Sequence, residues 1–157
     1  MKLFRIASTG ATWSPDDLSG AGAAKSGGRW NDEGQFILYA SPTRAMAVLE
    51  TTAHIKSIGL PLNRYLVEID VPDIAWNKRV IATPASLQGA WDSIPHGFPS
   101  VNFGSTWYKS GESALLEVPS VIVEEEANIL INCTHPEVVD KMAAKIMRKF
   151  HYSQLLR

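Results

Sequence analysis

Cysteine is almost absent: Cys133 is the one thiol among 157 residues. No intramolecular disulfide can form, and no cysteine-based metal cluster can be built. The chain also lacks an excess of either charge. Fifteen Lys and Arg against 16 Asp and Glu leave a formal net charge of −1, which argues against holding nucleic acid by broad electrostatic attraction. No apolar run approaches the roughly 18–20 residues needed to span a bilayer. The opening Met1-Lys2-Leu3-Phe4-Arg5-Ile6 is interrupted by Arg5 before it can act as the apolar region of a secretory signal. The expectation is a soluble protein of a reducing cytoplasm that binds neither membrane nor nucleic acid directly. Three nucleotide or hydrolase signatures are missing as well: the G-x-G-x-x-G loop, the Walker loop and the G-x-S-x-G elbow. Any nucleotide site must be of another kind, and Ser120 does not read as a hydrolase nucleophile.

What is present is enough for a core. Hydrophobic residues make up 45% of the chain and charged residues 20%, ordinary values for one globular domain over residues 1–157. Leu3 to Ile6 reads as a short strand. Residues 8–34, rich in Ser, Gly, Ala, Asp and Pro, read as a long loop, and long loops in compact domains are commonly functional. Phe36 to Ala40 is a compact apolar run expected to form a buried strand. Ser41-Pro42 resembles an N-cap followed by a first-turn proline, which predicts a helix from about Pro42 to Ile58, ending at Gly59 and Pro61. In Leu60 to Val71 the residues Tyr65, Val67, Ile69 and Val71 alternate with Arg64, Glu68 and Asp70, so this is a strand with one apolar face. Weaker signals suggest a short helix over 84–92, a helix over 101–109 stopped near Gly111, and strands over 114–123 and 128–133. In residues 136–150, Val139, Met142, Ala143, Ile146 and Met147 recur at helical spacing. Short strands mixed with helices in no regular βαβ order predict an α+β fold.

Several residues could carry chemistry. In Lys25-Ser26-Gly27-Gly28-Arg29-Trp30-Asn31, paired glycines let backbone approach a ligand, and the planar fork of Arg29 suits phosphate or carboxylate. The same segment also reads as a glycine turn bearing a surface arginine. Glu50 shares a helical face with Met46 and Ala53. Such a carboxylate lines a pocket or sits at the core boundary paired with a cation. Tyr39, at the end of a buried strand, could stack on a ligand or fill the core. Ser120 follows Pro119 and suits a hydrogen-bonding role. His54 lies one turn beyond Glu50, but nothing nearby in sequence supplies a third ligand, so it reads as solvated or capping and no metal is expected. His96, His135 and His151 are scattered, and His135-Pro136 has the look of a turn.

Taken together these segments resemble the RES-domain family. The resemblance rests on Gly-Gly-Arg-Trp-Asn-x-x-Gly at 27–34, Tyr39-Ala40-Ser41, Glu50 in the following helix, Val118-Pro119-Ser120, Asn128-x-Leu130-x-Asn132 and His135-Pro136. It covers roughly residues 3–136; residues 137–157 match less clearly. The family is named for an arginine, a glutamate and a serine, matched here by Arg29, Glu50 and Ser120. The resemblance implies a relative of the ADP-ribosyltransferase (diphtheria-toxin-like) fold, with a split, mixed β core holding NAD⁺ in a cleft. It also implies a toxin of a type II toxin–antitoxin system that degrades NAD⁺ by phosphorolysis or hydrolysis; some relatives instead ADP-ribosylate a protein. The implied partner is an Xre-like helix-turn-helix antitoxin. On this scheme NAD⁺ is a substrate and no metal takes part. Glu50 faces the positive charge that develops on the ribose. Arg29 holds pyrophosphate or an attacking phosphate, Tyr39 stacks on nicotinamide, and Ser120 bonds near the ribose. Lys25, Trp30 and Asn128 are further candidates for the cleft wall.

Overall fold

The computed structural model describes residues 1–55 and 59–153. Two sheets face one another across a shared core. In the first, β1 (Lys2–Ser8) pairs antiparallel with β3 (Arg64–Asp70), and β3 pairs antiparallel with β7 (Ala143–Phe150). The second runs β2 (Ile37–Ala40), β6 (Ala127–Asn132), β5 (Leu115–Pro119) and β4 (Val80–Ile81), antiparallel except for the parallel β4–β5 pair. This is the split, mixed β core and the α+β class expected.

The period-2 rule of strands explains the layering. Leu3 and Ala7 of β1 and Val67 and Ile69 of β3 meet Leu38, Ala40, Leu115, Ile129 and Ile131 of the other sheet. The alternate residues of the second sheet, Ile37, Leu116, Val118 and Leu130, bury against Trp30, Trp91 and Trp107. Trp107 belongs to α4 (Phe98–Ser110), which ends at Gly111 in the left-handed conformation, φ 63°. On the outer face of the first sheet, Phe4, Ile6, Leu66 and Phe150 pack against Ala47 of α2 (Arg44–Thr52). Each fully buried Val, Leu or Ile contributes about 1.5–3 kcal/mol, so both sheets are held from both sides. One helix approach needs glycine: a Cβ at Gly104 would lie 1.9 Å from the Trp30 carbonyl oxygen.

Several expectations are corrected. The long loop contains a short helix, α1 (Ala21–Ser26). The helix expected from Pro42 begins at Arg44, because Thr43 and not Ser41 caps it, accepting the Met46 N–H at 3.1 Å. It ends at Thr52; the expected end at Ile58 lies outside the described residues. The stretch over 84–92 yields only a 3₁₀ turn, Pro84–Ser86, and α3 (Asp73–Asn77) and β4 were not foreseen. The largest correction concerns 136–150, where β7 replaces the expected helix. Of the stretch only Val138 and Phe150 are buried, and Val139 is 42% exposed, so the helical spacing was coincidental. β3 pairs with β7 along its length, with one register shift between Leu66 and Val67, and this pairing overrides the local pattern. Lys145, Arg148 and Lys149 blunt this edge against further pairing.

Candidate active site

The site lies where the two sheets are stitched together. Ser41, just past β2, exchanges two backbone hydrogen bonds of 2.8 Å with Phe4 of β1. The β2–β6 register sets Ala40 opposite Ile129, which brings Ser41 beside Asn128. The β5–β6 register sets Val118 opposite Asn128, so Ser120 emerges at the same end of the hairpin. Helix α2 lays Glu50 over this corner. Met46 on the same helix is buried as expected, and Glu50 is half-buried; Ala53 is an exposed C-cap, beyond the helix proper.

Glu50 receives two short hydrogen bonds on the same oxygen. Ser120 Oγ donates to Oε1 at 2.6 Å and Asn128 Nδ2 donates to Oε1 at 2.6 Å. Two donors converging on one oxygen fix the plane of the carboxylate. No hydrogen bond within the described residues engages Oε2. The hydroxyl of Ser120, 1% exposed, also accepts the N–H groups of Ile122 and Val123 at 3.1 and 3.2 Å. Two acceptor positions and one proton are all a hydroxyl has. The hydroxyl of Ser120 is thus committed to Glu50 and to these two N–H groups.

Arg29 sits in the Gly27–Asn31 loop. Its Nη1 donates to the carbonyls of Trp91 and Ser93, at 3.1 and 2.9 Å. Nε and Nη2 make no hydrogen bond among the described residues. Burial pushes the guanidinium pKa down, while the negative charges of Glu50 and Asp92 push it back up. Arg29 and Glu50 thus share one electrostatic environment without forming a salt bridge. Tyr39 supports the loop. Its hydroxyl donates to Asn31 Oδ1 at 2.7 Å and accepts the Trp30 N–H at 3.1 Å. Gly28 makes room, since a Cβ there would lie 2.7 Å from that hydroxyl. Burial raises the Tyr39 pKa, so the phenol stays protonated and remains a donor.

The other expected residues separate. Trp30 is 4% exposed and stacks on Trp91 with ring centroids 6.1 Å apart, so its side chain belongs to the core and not to a cleft wall. Lys25 is exposed in the last turn of α1. His54 caps its helix, its Nδ1 lying 2.7 Å from the Glu50 carbonyl oxygen. His135 makes the turn expected of it: its Nδ1 accepts the Glu137 N–H at 3.2 Å. Among the described residues no group of three or more His, Cys, Asp or Glu is placed to hold a metal. An open hollow of about 460 Å³ adjoins the Gly27–Gly28 loop, bounded also by Asp32, Glu33 and His96. Burial lowers the His96 pKa, and the positive charges of Arg29 and His54 lower it further. His96 thus lines the hollow beside the Gly27–Gly28 loop, a placement its isolated position in the sequence gave no means of finding. Ser41 was misread as a cap. The carbonyls that hold Arg29 have no signature in sequence, because every residue carries one.

An arginine anchored on main-chain carbonyls and a glutamate anchored on a strand hairpin define a small α+β protein with an acid–arginine site at the junction of two sheets. The RES domain family matches residues 2–153, and the chain belongs to that family. It is 50% identical over 155 residues to the "Prs ADP-ribosylating toxin" of Sphingobium sp. (strain YBL2), covering 99% of this chain and 96% of the relative. It is 31% identical over 138 residues to "Toxin Res" of Yersinia enterocolitica, covering 86% of each. Among solved structures, the M. tuberculosis MbcT–MbcA toxin–antitoxin complex contains a chain of the same fold, with a TM-score of 0.65 and 17% identity over 92% of this chain and 80% of that one. No helix among the described residues is long and apolar enough to cross a membrane.

Proposed function

We propose that this protein is the toxin of a toxin–antitoxin pair and that it breaks the nicotinamide–ribose bond of NAD⁺. The observation that carries the reading is Glu50, with one oxygen tied by Ser120 and Asn128, the other outside those bonds, and its charge felt by Arg29. Breaking that bond leaves positive charge on the ribose C1′ and its ring oxygen, as in glycoside hydrolysis. Nicotinamide leaves with the bonding electron pair and becomes neutral, so no strong general acid is required. A fixed negative charge facing the ribose lowers the barrier, because its interaction grows as the cation develops. The nucleophile then bonds to C1′ and releases a proton.

The free edge of Arg29 suits the pyrophosphate, or an attacking phosphate if phosphorolysis is the route. The accessible part of the Tyr39 ring stacks on nicotinamide and limits its motion. Lys25 lies on the short helix leading into the Arg29 loop and adds positive charge at the approach. Water or phosphate as acceptor gives plain NAD⁺ destruction, the route the sequence resemblance put first. A protein side chain as acceptor gives ADP-ribosylation. The relative that shares half its residues across nearly the whole chain is named an ADP-ribosylating toxin, and this favours the protein acceptor. The toxin names among relatives and the complex formed by the structural neighbour support a neutralising partner, for which we propose an Xre-like helix-turn-helix antitoxin.

The test is incubation with NAD⁺ labelled in the adenine ring, alone, with inorganic phosphate, and with a bacterial protein extract. Nicotinamide release is expected in at least one arm. Label in free ADP-ribose, in its 1-phosphate or on protein identifies the acceptor. A folded protein that releases no nicotinamide in any arm overturns the proposal. Expression should arrest growth, and co-expression with the neighbouring helix-turn-helix protein should relieve the arrest. Equal arrest by the parent and by Glu50→Gln would separate toxicity from NAD⁺ chemistry.

A further inference from the structure

The geometry points to Ser41 as a positioning residue that, through Asn128, determines which oxygen of Glu50 is left for the substrate. Ser41 is 3% exposed, and its Oγ donates to Asn128 Oδ1 at 2.8 Å. Asn128 in turn donates from Nδ2 to Glu50 Oε1 at 2.6 Å. The direction of this chain follows from valence. An ionised carboxylate only accepts, so the amide nitrogen of Asn128 must face Glu50, and its oxygen must face Ser41. The Ser41 hydroxyl holds that orientation by offering its proton to the oxygen. Without it, a half-turn of the amide would place Oδ1 against the carboxylate, two acceptors face to face.

The placement is also rigid. Ser41 is fixed by its backbone bonds to Phe4 in one sheet, and its side chain reaches Asn128 in the other. Glu50 is thereby referenced to both sheets, although its helix packs Ala47 on the outer face of the first. Ser120 converges on the same oxygen from the end of β5. Two donors on Oε1 turn the carboxylate so that Oε2 is the oxygen presented to the ribose. Ser41 touches neither substrate nor reacting atoms in this arrangement; it acts at one remove.

The consequence for turnover rests on the proposed NAD⁺ reaction, so the experiment has one arm that does not. The first arm follows the side-chain amide protons of Asn128 by NMR in the parent and in Ser41→Ala, a change that leaves the backbone bonds to Phe4 intact. Their exchange with solvent should accelerate at least about tenfold in the variant, since a free amide turns and exchanges readily. Unchanged exchange overturns the inference. The second arm measures nicotinamide release. Ser41→Ala should lower kcat about tenfold with KM within about twofold, the pattern of a contact that matters in the transition state more than in binding. Asn128→Asp keeps the acceptor for Ser41 but sets a second carboxylate against Glu50. Its kcat at pH 7.5 should fall about 10²-fold and recover in part on acidification towards about pH 5.5, where a shared proton restores a donor. The parent should show no such recovery. Equal loss at every pH would mark Asn128 as merely structural and overturn the inference. If the parent itself releases no nicotinamide, the proposed reaction falls, and the exchange arm alone decides the role of Ser41.

Discussion

Replacing Glu50 by glutamine removes one negative charge and little else. The amide oxygen of the glutamine can occupy the Oε1 position and keep the donors Ser120 and Asn128, each at 2.6 Å in the parent. Its NH₂ then falls where Oε2 was, at a position with no hydrogen bond among the described residues. Two charge-assisted hydrogen bonds become neutral ones, which costs about 1 kcal/mol of stability. The catalytic cost is larger. A full charge about 4 Å from a developing cation interacts by about 4 kcal/mol at an effective dielectric near 20. Each 1.36 kcal/mol is a factor of ten, so that interaction alone corresponds to about 10³-fold in rate. Glu50 is only half-buried, and solvent screening reduces the figure, leaving an expected fall of at least about 10²-fold in kcat. KM should change little, because the cation exists only in the transition state. The assay is nicotinamide release under saturating NAD⁺, with a thermal melt to show that the variant folds. A folded Glu50→Gln with parental kcat would refute the electrostatic role.

Three further outcomes follow from the same geometry. Arg29→Lys cannot reproduce a guanidinium that holds two carbonyls through Nη1 and keeps its other edge free; NAD⁺ affinity measured by calorimetry should fall at least about tenfold, and parental affinity would exclude a phosphate fork. Tyr39→Phe leaves Asn31 Oδ1 and the Trp30 N–H without their partner, so urea unfolding should show a loss of about 1–3 kcal/mol. The thiol of Cys133 is pushed up by burial from 9.0 to about 12. The unfolded thiol loses its proton first, so this group's contribution to stability is intact below pH 9 and declines as pH rises towards 12. Iodoacetamide at pH 8 should therefore label the unfolded protein and spare the native one.

The amino-acid sequence by itself determined the α+β class and the inner, alternating face of β3, and it singled out candidate residues for chemistry; that β3 buries Leu66 on its other face as well was not legible. What was legible is encoded locally: period-2 alternation in β3, the apolar run of β2, the left-handed glycine that closes α4, and the rare association of Gly27-Gly28-Arg29 with Glu50 and Ser120. The spacing could not show that Arg29 hangs on the carbonyls of Trp91 and Ser93, since those groups belong to every residue alike. Nor could it show that Ser41 is a seam between sheets and not a helix cap. Thr43 competes for the cap two residues on, and the choice falls to whichever geometry lets Ser41 pair with Phe4. The fate of Ala143–Phe150 was decided at still longer range, by the open hydrogen-bonding edge of β3. Trp30 stands in a loop that looks accessible in sequence, yet the packing of Gly104 against its backbone and Trp91 against its ring draws it inside. Local periodicity specifies what a segment can form. Hydrogen-bond partners and burial partners far along the chain decide which option wins, because a strand edge or an aromatic ring is satisfied only by contacts its own neighbours cannot supply.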